Sequence, residues 1–340
     1  MNITSEELGY NPEELPRETQ RHYISASEDD IQSMLSVIGV KSLDALYDHI
    51  PKNILFDKAP ALDEELEYQD LALHVKELSQ KNNKPMASFI GDGLQHYKPT
   101  ELSKEVLGLR QLTTAYTPYQ PERSQGTLMT HWIYQCTMSQ LTGFEAINVS
   151  MYDRSSTLFE AVLTALRLNK GKSRALICTD IFPGDVEVLQ TLAIETSTII
   201  ETLPAGPNGC ADTTAIEAYI EQHKETLGAL VYPQINHFGV LEDVDALTDL
   251  AAKHQLKSIA IIDPILLATG GLKPPSLYGS HHGADLFVAE GQHLAIAPHC
   301  GGPGLGVFGI RFNSTCSNAI RSSPGRFVGK AKDGLGQESD

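Results

Sequence analysis

Asp263 follows the apolar run Ser258-Ile259-Ala260-Ile261-Ile262 and precedes Pro264. In an open α/β sheet that is the carboxyl end of a buried strand, where ligands bind. A carboxylate there can hold the ring nitrogen of a cofactor, and it can equally serve as a turn or helix cap. Tyr152-Asp153-Arg154-Ser155-Ser156-Thr157 joins a strand-like run to a helical one. Hydroxyls such as those of Ser155 and Ser156 at a helix start suit a phosphate; plain capping by Asp153 or Ser155 is the competing use. The most unusual stretch runs from Thr113 to Gly126. Pro118 and Pro121 force Thr117 and Gln120 towards extended geometry. The stiffened loop carries Tyr116, Tyr119, Gln120 and Glu122, then enters a helix start at Ser124–Thr127 whose free amides can take an anion. An interface strap without a ligand fits the same residues.

Other groups are weaker signals. Gly301-Gly302-Pro303-Gly304-Leu305-Gly306 precedes a strand rather than opening a helix, so it fails as a dinucleotide fingerprint and reads as a tight turn with close backbone approach. His281, His282, His293 and His299 lie near one another without the spacing of a metal motif, and read as loop or pocket histidines. The five cysteines contain no Cys-x-x-Cys pair, which argues against a disulfide framework or zinc knuckle and for a reduced cytosol.

These groups need elements to hold them. Strand-like runs at 146–151, 174–179, 197–203, 228–232, 257–262, 285–289 and 306–311 alternate with helical periods at 156–168, 183–194, 212–223 and 243–255. The helix at 156–168 shows its stripe in Phe159, Val162, Leu163 and Leu166. Alternating strands and helices predict a mostly parallel sheet with helices on both faces. Another helix from about 127 carries Met129, Trp132, Ile133 and Cys136 on one face and is closed by Gly143. Nearer the N-terminus, two short amphipathic helices are expected. Ser27 caps the first, which uses Ile31, Met34, Leu35 and Ile38 and stops at Gly39; Ser42 caps the second, which uses Leu43, Leu46, Tyr47 and Ile50 and stops at Pro51. Such an arm must pack on something to be stable. The stretch from about Lys330 reads as a tail without an element.

The chain has 340 residues and a formal charge of −17, with 41% hydrophobic and 20% charged residues. That is enough chain for a large buried core. The acidic balance argues against nucleic-acid binding and against a polybasic membrane surface. No apolar run approaches the ~18 residues of a membrane span, and the polar first twenty residues carry no targeting pattern.

Taken together, the segments resemble the first subunit of the two-subunit glycine dehydrogenase (decarboxylating), the P-protein of the glycine cleavage system. The resemblance runs from the helix near Ile31 to about Gly329. Its most specific part is Tyr116-Thr117-Pro118-Tyr119-Gln120-Pro121-Glu122 with Ser124-Gln125-Gly126-Thr127-Leu128. Ser88-Phe89-Ile90-Gly91, Leu141-Thr142-Gly143, Phe238-Gly239-Val240-Leu241-Glu242-Asp243 and Asp263-Pro264 also match. So do Leu272-Lys273-Pro274-Pro275, Tyr278-Gly279, Glu290-Gly291-Gln292, Gly301-Gly302-Pro303 and Pro324-Gly325-Arg326-Phe327-Val328-Gly329.

The resemblance implies a fold-type I pyridoxal-phosphate architecture, with an N-terminal extension and helical arm over 1–84, a large domain over 85–329 and a tail over 330–340. It implies a cytoplasmic, heterotetrameric enzyme that decarboxylates glycine through pyridoxal phosphate and passes the aminomethyl group to the lipoyl arm of the H-protein. The cofactor and its lysine are expected on the second subunit. In agreement, no lysine lies between Lys273 and Lys330. By resemblance the lysine position falls near Gln292–His293, and neither side chain can bind the cofactor covalently. The same resemblance makes Asp263, Ser155 and Ser156 a vestigial cofactor pocket. It sets Tyr116, Tyr119, Gln120, Glu122 and Ser124 at the active-site mouth or subunit interface. No metal is expected. Several positions depart from the pattern. Arg154 stands where relatives carry glycine, Asp92 and Leu94 alter a glycine-rich stretch, and Ile235 and His237 replace a proline and a phenylalanine. Relatives continue past Gly329 into a small domain of roughly 100 residues, and this chain is expected to lack it. The alternative is a truncated, non-enzymatic remnant acting only as a binding module.

Overall fold

The computed structural model describes residues 26–55, 61–63, 65–82, 87, 89, 91, 97–268, 270–298, 303–314, 316–329, 331–332, 335–336 and 338–339. The chain divides into two compact units, residues 1–85 and 86–340.

In the first unit, α1 spans Glu28–Ile38. Ser27 and Asp30 form a reciprocal capping box, and Gly39 ends the helix in the left-handed region at φ 86°. Of the expected stripe only Leu35 is buried. The second expected helix is not α-helical. Asp44–Tyr47 forms one 3-10 turn, with the Ser42 hydroxyl accepting from the Ala45 amide at 3.3 Å. Pro51 cannot continue a helix and biases Ile50 away from helical geometry, so the segment closes as a single tight turn. A helix absent from the sequence reading, α2, covers Tyr68–Gln80.

The second unit begins with α3, Leu102–Leu107, and the long α4, Gln125–Thr142. The expected stripe of α4 is wrong in one respect. Met129 and Ile133 are exposed, and the helix meets the core through Met138 and Thr142, flanked by Tyr134 and Leu141. The strands are β1 Ala146–Ile147, β2 Arg174–Ile177, β3 Ile199–Thr202, β4 Leu227–Pro233, β5 Lys257–Ile262, β6 Leu286–Glu290 and β7 Gly306–Ile310. Every one falls within a predicted run or overlaps it by most of its length. The helices between them are α5 Arg154–Leu168, α6 Pro183–Ala193, α7 Thr213–His223 and α8 Val244–Lys253, followed by short α9 Pro264–Ala268 and α10 Ser317–Ile320.

One seven-stranded sheet results, in the order β1-β7-β6-β5-β4-β2-β3. β2 through β6 pair in parallel, and β7 is antiparallel to both β6 and β1. Because side chains alternate along a strand, the sheet builds two cores. One face sets Leu230, Tyr232, Ala260, Ile262 and Phe287 against Ile216 and Ile220 of α7 and Leu247 of α8. The other sets Ala229, Val231, Ile259, Ile261 and Val288 against Leu158, Val162 and Leu166 of α5 and Leu189 of α6. Each fully buried leucine or isoleucine contributes about 1.5–3 kcal/mol. These are the strands whose sequence is apolar on both faces, as a covered parallel sheet requires. The expected mostly parallel α/β architecture is therefore what the chain adopts. The tail is not element-free: β8 Ala331–Lys332 pairs antiparallel with β9 Glu338–Ser339. No helix among the described residues is long and apolar enough to cross a membrane.

Candidate functional site

From β2 the chain moves outward to β3 and then returns past β2 to β4, so the strand order reverses between β2 and β4. In open α/β sheets the crevice at such a reversal, beyond the carboxyl ends, is where ligands bind. A cavity of about 300 Å³ lies there. Phe182, after β2, forms part of its wall. Gln234 to His237 and Gly239 follow β4, Ile262 and Asp263 close β5, and Glu290 closes β6. Arg154, the first residue of α5, and His293 complete the lining.

Asp263 therefore sits where its strand predicts. Its Oδ1 lies 2.9 Å from Nε2 of His293 and also accepts from the Ile265 amide at 3.1 Å. His293 is buried, and the edge of the Tyr97 ring approaches it at 6.0 Å between centroids. The Asp263 carboxylate is thus both a turn cap and the partner of an imidazole.

The start of α5 is more crowded than its hydroxyls suggest. Asp153 takes the N-cap, its side chain accepting from the Ser156 amide at 2.8 Å. The Ser155 hydroxyl donates to Asp185 at 2.5 Å, and the Ser156 hydroxyl donates back to the Asp153 carbonyl at 3.3 Å. Neither serine lines the cavity. Arg154 folds over the Phe182 ring, 4.8 Å from its centroid, and its Nε and Nη2 both reach Asp185 Oδ2 at 2.8 Å. The cation at this position is thus neutralised within the chain. Glu290 fills the space in front of the helix. Its carboxylate accepts from the amides of Arg154 at 3.2 Å, Gln292 at 2.9 Å and Leu305 at 2.7 Å.

Behind the cavity, Asn236 is buried and makes four side-chain hydrogen bonds. It donates to the Gly209 carbonyl and Glu242, each at 2.7 Å, and accepts from the amides of Phe238 and Val240. This fixes the loop on which Ile235 and His237 stand. The Asp92, Leu94 and Ser88-Phe89-Ile90-Gly91 readings, together with His299 and Gly301-Gly302, lie wholly or mostly outside the described residues.

The residues around the cavity do not fit pyridoxal phosphate. No lysine lines the cavity among the described residues. Asp263, the carboxylate expected to hold a ring nitrogen, already faces His293. The anion position at the α5 start holds Glu290. Gln292 and His293 lie in a 3-10 turn after β6; His293 enters the cavity and Gln292 does not.

The strap from Thr113 to Gly126 lies away from this cavity; none of Tyr116, Tyr119, Gln120, Glu122 or Ser124 lines it. Thr127 Oγ1 accepts from the amides of Thr114 and Ala115, and Thr114 Oγ1 from those of Gly126 and Thr127. Ser124 is buried and donates to the Gln120 carbonyl at 2.8 Å. From this stitched base Tyr116 projects fully exposed and Tyr119 is 76% exposed. The guanidinium of Arg326 lies 5.1 Å from the Tyr119 ring centroid, so two matched motifs far apart in sequence meet. The histidines separate. His281 and His282 line a second hollow of about 270 Å³ with Thr248, Asp249 and Lys257, while His293 belongs to the first.

The sequence reading missed Glu290, Phe182 and Gln234 as cavity-lining residues, and Asp185 as the partner that fixes Arg154 in the wall. Glu290 was findable: it closes the apolar run Leu286-Phe287-Val288-Ala289 just as Asp263 closes its own. Asp185 looks in sequence like an ordinary acid in the first turn of a helix.

A family model described as glycine cleavage system P-protein matches residues 21–339. A probable glycine dehydrogenase (decarboxylating) subunit 1 from Nitrosomonas europaea is 35% identical over 318 residues, covering 93% of this chain and 67% of the relative. A protein of the same description from Alcanivorax borkumensis is 36% identical over 320 residues, covering 93% and 68%. Among solved structures, an inhibitor-bound glycine decarboxylase (P-protein) of the glycine cleavage system superposes with TM-score 0.73 at 32% identity, covering 93% of this chain and 68% of that one. Mouse CSAD in its apo form shares the fold alone, with TM-score 0.54 at 12% identity, 89% of this chain and 60% of that one.

Proposed function

The chain belongs to the glycine cleavage system P-protein family, and from that premise we propose that it is the lysine-less subunit of a two-subunit glycine decarboxylase. Its partner is a second subunit that carries pyridoxal phosphate on a lysine, and the assembled enzyme hands the aminomethyl group to the lipoyl H-protein. The cofactor supplies an electron-accepting ring to the reaction. This chain supplies the surroundings of the partner's site, and its own cavity performs no chemistry. Support comes above all from that cavity, where Asp263 at the end of β5 pairs with His293 and no lysine is found in the lining among the described residues. On this reading Asp263 is the remnant of a cofactor pocket inside the cavity, and Ser155 and Ser156 are its remnants at the α5 start, their hydroxyls now turned to Asp185 and Asp153. The strap presenting Tyr116 and Tyr119 with Gln120 and Glu122, braced from within by buried Ser124, is the docking surface for the second subunit.

Mixing the purified chain with a second subunit and measuring exchange between the glycine carboxyl group and bicarbonate tests this. Exchange by the mixture and not by either chain alone is expected. Exchange by this chain alone overturns the division of labour. The neutralised Arg154 at the cavity wall favours one other reading, a remnant that binds without taking part in catalysis; failure to co-purify with the second subunit would support it.

A further inference from the structure

We propose that Glu290 and His293 are built-in occupants of this cavity, the carboxylate holding the place of a phosphate and the imidazole that of a ring. The chain thereby keeps the cavity walls in register without cofactor and excludes phosphorylated pyridines. The inference rests on reading the cavity as a former cofactor site.

Glu290 gathers three amides from three separate segments: the α5 start, the turn after β6 and the strand approach before β7. Its Oε2 takes Arg154, and its Oε1 takes Gln292 and Leu305. A phosphate at a helix start recruits donors in the same way. The wall is built to this carboxylate. A Cβ at Gly304 would come within 3.1 and 3.2 Å of its two oxygens and 2.9 Å of the Tyr152 carbonyl. The three amides that a phosphate would recruit are therefore already taken by this carboxylate. His293 does the corresponding work at the other end. Its Nε2 meets Asp263 at 2.9 Å, and the ring is buried with Tyr97 against it. The Asp263 carboxylate thus holds the imidazole in addition to the Ile265 amide, which offsets part of its desolvation penalty.

Chemical rescue of the isolated chain tests this without the partner subunit, so its failure is separable from failure of the exchange assay. Glu290→Ala opens the amide cradle and His293→Ala opens the ring position. Each variant is expected to melt lower than the parent. Millimolar inorganic phosphate should raise the melting temperature of Glu290→Ala by roughly 3–8 °C and leave His293→Ala unmoved; millimolar imidazole should do the reverse. The parent should respond to neither, nor to pyridoxal phosphate. Glu217→Ala, which alters an exposed carboxylate, controls for general salt effects. If Glu290→Ala does not fold, Glu290→Gln carries the test: it fills the space with one acceptor oxygen fewer, so it should melt lower and ignore phosphate. The proposal is overturned if pyridoxal phosphate or phosphate stabilises the parent specifically. It is equally overturned if the rescues are not selective, or if Glu290→Gln is as stable as the parent.

Discussion

Removing the Asp185 carboxylate should unfold the cavity wall from the α6 side. Its side chain is 5% exposed and that of Arg154 is 17% exposed. The pair is therefore largely out of water, held by two contacts of 2.8 Å, with the Ser155 hydroxyl on the second oxygen. Deleting one partner of such a buried pair costs about 3–5 kcal/mol, because the other charge is stranded. In Asp185→Ala the stranded group is a guanidinium that already lies on Phe182 in the parent, so the ring face offers no new compensation. For a domain of this size each kcal/mol moves the melting temperature by about 2–4 °C, so a fall of roughly 6–20 °C is expected. Arg154→Met should cost less, since Asp185 keeps the Ser155 hydroxyl. The double variant should cost less than the sum of the singles by at least about 1.5 kcal/mol, measured by urea unfolding as a double-mutant cycle. Additive losses, or an Asp185→Ala loss under about 1 kcal/mol, refute the reasoning that the cation is neutralised at Asp185.

Burial raises the phenols of Tyr134, Tyr232 and Tyr278 above their ordinary value. Unfolded phenols ionise near pH 10 and these folded ones do not, so stability should be intact below that pH and fall as pH rises beyond it. The fall is roughly 1.4 kcal/mol per group per pH unit, read by phenolate absorbance alongside unfolding. Gly306→Ala should cost about 1–3 kcal/mol or more, because its Cβ would collide with Thr157 Oγ1 and the Asp153 carbonyl. Gly184→Ala meets nothing within 4 Å and should stay within about 0.5 kcal/mol of the parent by calorimetry. Replacing Tyr116 and Tyr119 together by alanine should leave the melting temperature of the isolated chain nearly unchanged. It should weaken association with the second subunit by at least about 30-fold in sedimentation or titration assays, as expected for two exposed aromatic anchors.

The sheet was legible because its central strands are apolar on both faces, a pattern that Ile259 to Ile262 carries without reference to the rest of the chain. The helix at α5 was also legible, although Asp153 starts it two residues earlier than its apolar stripe implies. Local signals misled where the outcome depends on partners. In α4, spacing nominates Met129 and Ile133 as readily as Met138 and Thr142, and only the sheet beneath decides. In α2, Tyr68, Leu71, Val75 and Leu78 do fall at helical spacing, so this helix was legible and the reading passed over it. Within the site, Asp263 could be read from the strand it ends. The use of Glu290 could not, because two of its three amide donors lie 136 and 15 positions away. The pairing of Arg154 with Asp185 spans 31 positions and leaves no local trace.

The division of labour between two chains is the central claim, and the fate of the cofactor's covalent bond tests it most directly. The assembled complex, carrying labelled pyridoxal phosphate, is reduced with borohydride, digested, and the labelled peptide is sequenced. The account predicts that all label lies on a lysine of the second subunit and none on any peptide of this chain. Stoichiometric label on a lysine of this chain would contradict it.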